Sequence, residues 1–183
     1  MNFLIDNAVD NEKTIQTLAN DKEFNWNISK SDVNDGATSV ANAGLPNGSL
    51  TTWDPQGAYV DANQNTHSPI DGLLHEGGHA YIAYGNYQIL KKGSGKQSKG
   101  DTEGRKKAEK EYYDRLDYFG KPEGNGWMNY EEKYVIQNYE NPFMKQIMKE
   151  EPRPSHKGKF YKSENPYSRK PVSGTVPIYK PKK

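Results

Sequence analysis

Two histidines one helical turn apart, in His75-Glu76-Gly77-Gly78-His79, constrain this chain more than any other stretch of it. Residues four apart lie one above the other on the same helical face, so both imidazoles reach a common point only if the segment is helical. The flanking sequence favours that. Ser68 can act as N-cap, Pro69 suits the first helical position and Asp71 stands where a capping-box partner belongs. Gly85 with Asn86 can supply a left-handed C-cap, which predicts a helix over 69–84. Ile70, Leu73, Leu74 and Tyr81 give it a face to bury. Gly77 and Gly78 oppose the helix by about 1 kcal/mol each relative to alanine. They are expected to answer a close approach, by another element or by a substrate backbone.

The chain has no cysteine, so a metal must be held by imidazoles and carboxylates, and a disulfide framework or thiol nucleophile is excluded. His75 and His79 read as ligands of Zn2+, with Glu76 as the base that takes a proton from a water activated by the metal. A histidine six residues beyond His79, with glycine three beyond it, would make the metzincin pattern, but Gly85 and Ile82 stand there. A carboxylate from a later helix, the gluzincin arrangement, is therefore the leading third ligand. Glu131 and Glu132 open a helix read over 129–139. Helical spacing puts Glu132 on the side shared by Val135, Ile136 and Tyr139, so Glu132 is the expected ligand and Glu131, directed further toward solvent, the fallback. Glu140 with Asn141 either supports a ligating imidazole from behind or caps the helix that Asn141-Pro142 restarts. Arg153 and His156 are candidates to stabilise a tetrahedral oxyanion.

Elsewhere the pattern is weaker. A first helix is expected over 7–20 around Val9, Ile15 and Leu18, and Phe24, Trp26 and Ile28 alternate as in a half-buried strand over 23–29. Short strands are expected at 50–53 and 58–60, a mobile Lys-, Gly- and Ser-rich loop over 91–100, a solvent-facing helix over 103–119, and a short helix from Asn141 to Met148. The Pro-, Lys- and Tyr-rich stretch from Glu151 reads as extended. The sum is one α+β domain over 1–183, with a small irregular sheet packed on the metal-binding helix and on a second, ligand-bearing helix. Its catalytic core spans about 68–161 and its C-terminal segment, 162–183, is extended.

Leu73-Leu74-His75-Glu76-Gly77-Gly78-His79-Ala80-Tyr81, then Glu131-Glu132-Lys133-Tyr134-Val135-Ile136 and Glu140-Asn141, resemble the zinc metallopeptidase effectors, which include type III-secreted proteases and toxin domains at the C-termini of Rhs-like polymorphic toxins. The resemblance covers about 68–161. It implies a zincin-like, gluzincin-type fold and hydrolysis of peptide bonds in a protein target. It also implies delivery into another cell by a specialised secretion system such as type VI, together with a delivery partner or cognate immunity protein. Gly77 departs from the aliphatic residue usual after the motif glutamate, and Pro142-Phe143 stand where the family often carries an arginine; both bear on substrate preference.

Lys+Arg 25 against Asp+Glu 24 leave a net charge of +1, which gives no field to draw in nucleic acid, and the basic stretch over 91–107 has few aromatics for stacking bases. No apolar run is long enough to span a bilayer, and no basic segment followed by an apolar run opens the chain as an export signal would. The remaining alternative is a non-catalytic binding module stapled by zinc, for which His67 or His156 would complete a closed four-ligand site.

Overall fold

In the computed structural model the described residues are 14–31, 37–41, 47–124 and 127–180. The fold is α+β. Helix α1 (Thr14–Asn20) precedes β1 (Asn25–Lys30), β2 (Ala37–Ala41) and β3 (Gly48–Trp53), which form a sheet of order β1-β3-β2, with β1 parallel and β2 antiparallel to β3. A second sheet, of order β5-β4-β6, is antiparallel throughout and consists of β4 (Gly57–Asp61), β5 (Thr66–His67) and β6 (Gly158–Lys162). The part of the expected first helix over 7–13 lies outside the described residues.

The metal-motif helix, α2 (Pro69–Gln97), is much longer than its sequence punctuation suggests, and the loop expected over 91–100 is largely helix. Gly85 does not cap it. Packing against the next helix, α3 (Thr102–Gly120), overrides the local signals: an added Cβ at Gly85 would meet Arg115 Nη2 at 3.2 Å, and one at Gly93 would meet Ala108 Cβ at 3.0 Å. Asn86 Oδ1 accepts from Arg115 Nε at 3.0 Å across the same interface. The reversal comes later, at Gly100 (φ +75), where the left-handed backbone calls for glycine, and Asp101 then caps α3 by accepting from Gly104 N–H at 2.8 Å. The expected capping box at the start of α2 is also absent. Ser68 has the extended backbone of an N-cap, but its hydroxyl donates to Glu150 Oε1 at 2.7 Å, and Asp71 faces Tyr59 and His67.

Helix α4 (Tyr130–Val135) begins at Asn129, whose side chain accepts from Glu132 N–H at 2.9 Å. The break expected at Asn141-Pro142 does not occur. The chain runs on through a π-helical turn (Ile136–Glu140), α5 (Asn141–Phe143) and a second π-helical turn (Met144–Met148), and ends at left-handed Lys149. The wide π turn matters for geometry. At 100° per residue Glu140 would sit about 80° away from Glu132 around the axis; one residue absorbed in the bulge brings it back to within about 20°. Both carboxylates then face the same side.

The stretch expected to be merely extended contains β6, an edge strand whose one buried residue is Tyr161 and which therefore carries no alternating apolar signal. Three apolar clusters hold α2 in place. Ile15, Ile70, Leu73, Leu74, Phe143 and Met144 pack at its start; Leu18, Phe24, Ala80 and Ala83 pack in its middle; Ile82, Phe119, Val135 and Tyr139 tie it to α3 and α4. Trp53 Nε1 donates to Pro69 O at 2.8 Å and anchors its first turn to β3. No helix among the described residues is long and apolar enough to cross a membrane.

Candidate metal centre

The two motif glycines have the packing reason that their cost demands. A Cβ on Gly78 would lie 2.6 Å from Val135 Cγ1 and 2.9 Å from Tyr139 Cδ2; one on Gly77 would lie 2.9 Å from Ile15 Cδ1 and 3.2 Å from the Trp26 ring. Gly78 lets α4 approach α2, and that approach brings Glu131 and Glu132 to the histidines.

The imidazoles converge through their Nε2 atoms, 3.1 Å apart. Glu132 bridges them, with Oε2 3.1 Å from His75 Nε2 and Oε1 3.6 Å from His79 Nε2. Two nitrogens bound tetrahedrally to one zinc at roughly 2.0–2.1 Å stand roughly 3.3 Å apart, so the spacing fits a shared ion. Among the described residues this is the one group of three or more His, Asp and Glu side chains whose ligand atoms all lie within 4.8 Å of one another. Glu132 Oε2 is buried and has no hydrogen-bond partner, another mark of an oxygen that suits a cation.

Behind each imidazole stands a carboxylate. His75 Nδ1 lies 3.0 Å from Glu140 Oε2, and His79 Nδ1 lies 2.7 Å from Glu131 Oε1. A proton held on each Nδ1 leaves the Nε2 lone pairs free to ligate, which is what a carboxylate–histidine pair does in metal sites. No known protein family, curated protein or solved structure matches the chain. The geometry therefore carries the functional reading.

Electrostatics agree with ligation. Burial pulls the His75 pKa down and keeps that ring neutral. Burial also opposes charge on His79, but Glu131 and Glu132 outweigh it and hold its pKa up at about 10, so a proton and a metal compete for the same nitrogen. Burial pushes the Glu76 carboxyl above its usual range, against the pull of His75 and His79, in the direction that suits a general base. Glu132 shows the opposite result, since the two imidazoles overcome its burial and hold it far below the usual carboxylate value.

The two candidate oxyanion donors are placed differently. His156 stands at the rim, its Nε2 3.4 Å from Glu132 Oε2 and its ring 5.2 Å from that of His75; burial lowers its pKa to about 4, so it is a neutral donor. Arg153 lies behind His75. Its Nη2 donates to Glu140 Oε2 at 2.5 Å, the same oxygen that faces His75 Nδ1 at 3.0 Å, and its guanidinium covers the Tyr59 ring at 5.0 Å. That places it with the carboxylate that orients His75. Asn141 fixes the Arg153 backbone, accepting from its N–H at 2.8 Å and donating to its carbonyl at 3.3 Å. His67 is not at the centre: it is buried between Asp61 (3.1 Å) and Asp71 (3.3 Å) and stacked on Tyr59.

Several supporting residues had little sequence signal. Glu131, the fallback ligand by helical spacing, is the partner of His79 Nδ1, while Tyr59, Asp61 and Asp71 form a buried polar network with His67 under the first turn of α2 that no spacing rule announces.

Proposed function

We propose that this chain is a zinc-dependent metallopeptidase in which His75, His79 and Glu132 hold the ion and Glu76 is the general base. The observation that carries the reading is the pair of imidazoles presenting Nε2 to one point while Glu140 and Glu131 hold their Nδ1 atoms. Three protein ligands leave a coordination position open, which separates a hydrolytic site from a structural staple. Bound there, zinc supplies Lewis acidity to a substrate carbonyl and makes water acidic enough to be a nucleophile.

The chain's own residues do the rest. Glu76 accepts the proton from water and returns it to the leaving amine, and burial raises its pKa in the direction that strengthens it as a base. His156, at the rim of the site, offers an N–H to the oxyanion that develops on the substrate. Arg153 acts through Glu140 to hold His75 in register.

The likeness of the motif segments to effector and toxin peptidases supports a protein substrate and delivery into another cell. The test is cleavage mapping in a lysate. The wild-type chain is expected to generate new peptide N-termini that the Glu76→Gln variant does not, with equal zinc content in both proteins; cleavage by the variant would contradict the reading.

A further inference from the structure

The C-terminal segment runs back beside β6 without closing on it. Ser163 and Pro171 form an antiparallel bridge, and Val172 N–H donates to Lys162 O at 2.8 Å. Beyond that point the two stretches part. At the far end Gln64, in the turn between β4 and β5, donates to Tyr179 O at 2.9 Å and accepts from Tyr179 N–H at 3.2 Å. Between these tethers residues 175–180 face residues 157–159 across a groove of about 1120 Å³, room for a short extended peptide.

The strand edge lining this groove presents its backbone outward. Hydrogen-bonding direction alternates along an antiparallel strand. Ser163 N–H bonds inward to Gln56 O at 2.8 Å and Lys162 O bonds outward to Val172, so the backbone groups of Phe160 and Gly158 face outward as well. The charge of the groove is one-sided: Lys157, Lys159 and Lys180 line it, with Val176, Ile178 and Tyr179 on its far bank and no acidic side chain in its lining. The residue next to its first lining residue touches the metal centre: His156, which precedes Lys157 directly, stands 3.4 Å from Glu132.

We infer that this groove binds an extended, acidic polypeptide that adds as a strand to the free edge of β6, between β6 and the C-terminal segment. Main-chain hydrogen bonds to Gly158 and Phe160 hold the peptide, and Lys157, Lys159 and Lys180 select its charge. The inference deepens the metallopeptidase reading, on which it rests for the fate of the peptide: a strand lying along β6 is led past His156 to His75 and His79.

Binding is measured apart from hydrolysis, by fluorescence anisotropy with the Glu76→Gln variant. The probes are a labelled decapeptide of alternating Glu and Val, its counterpart with Lys for Glu, and the acidic peptide N-methylated at alternate residues. The acidic peptide is expected to bind at least about tenfold tighter than the basic one. The triple variant Lys157→Glu, Lys159→Glu and Lys180→Glu should reverse that preference, and N-methylation should abolish binding. Lys180→Glu alone lies outside both sheets and should weaken the acidic peptide about two- to fivefold if the triple variant does not fold. Equal affinity for both charges, or binding indifferent to N-methylation, overturns the proposal. Charge-selective binding without any hydrolysis by the wild-type chain would sink the metallopeptidase reading and leave the groove standing, whereas hydrolysis with no charge preference would do the reverse.

Discussion

Glu140 Oε2 lies 3.0 Å from His75 Nδ1, and the contact exists because a π-helical turn swings Glu140 onto the face that carries Glu132. Replacing Glu140 by Gln removes the carboxyl group that faces His75 Nδ1 and pairs with Arg153. Zinc affinity, read by competition with a chromogenic chelator, should fall about 10- to 100-fold. Because Arg153 then loses its buried partner, the melting temperature should fall as well. Unchanged affinity would mean that Glu140 serves folding alone.

Glu132 and Glu131 are neighbours in sequence with different roles. On the proposed assignment Glu132→Ala removes a ligand and should cost far more zinc affinity than Glu131→Ala, which loses only the support of His79 Nδ1, worth about 10- to 100-fold. The opposite order would transfer the ligand assignment to Glu131.

The approach of α4 to α2 depends on Gly78. Gly78→Ala forces a methyl against Val135 and Tyr139 and should destabilise the fold by about 1–3 kcal/mol in urea unfolding while also weakening zinc. Gly77→Ala meets the mobile end of Ile15 and should cost less. Equal effects at the two positions would argue against the helix contact as the reason for Gly78.

These contacts show what could be read from the residues alone. The helix that carries His75 and His79, and the convergence of Glu132 on them, followed from helical spacing, because which residues share a helical face is a local property. The length of α2 did not follow, since Gly85 and Gly93 read as breakers and only α3 reveals them as contact points. Glu140 could not be resolved because the π turn that redirects it has no sequence signature. β6 was hidden because an edge strand with one buried side chain has no alternating pattern. The placement of Arg153 behind His75 depends on a long-range clamp by Asn141 that spacing cannot convey.

His67 supplies a pH test away from the metal. Burial disfavours its charge, but Asp71 and Asp61 outweigh that and push its pKa from 6.5 up to about 9. A histidine whose folded pKa is raised adds stability that is fully present below about 6.5 and lost as pH rises through about 9, here on the order of 3 kcal/mol. Urea unfolding with chelator present should show that loss between pH 6.5 and 9.5 on top of the one that His79, whose pKa is also raised, contributes over the same range, and His67→Gln should make the profile shallower without flattening it. A slope that is the same in His67→Gln as in the wild type would contradict a charged His67.

The most direct measurement is the zinc content of the purified chain combined with X-ray absorption at the zinc edge. One zinc per chain is expected, coordinated by two imidazole nitrogens with oxygen completing a four-coordinate shell, and lost in His79→Ala. A chain that takes up no zinc, or one whose zinc carries a third imidazole and no exchangeable position, would contradict the central claim.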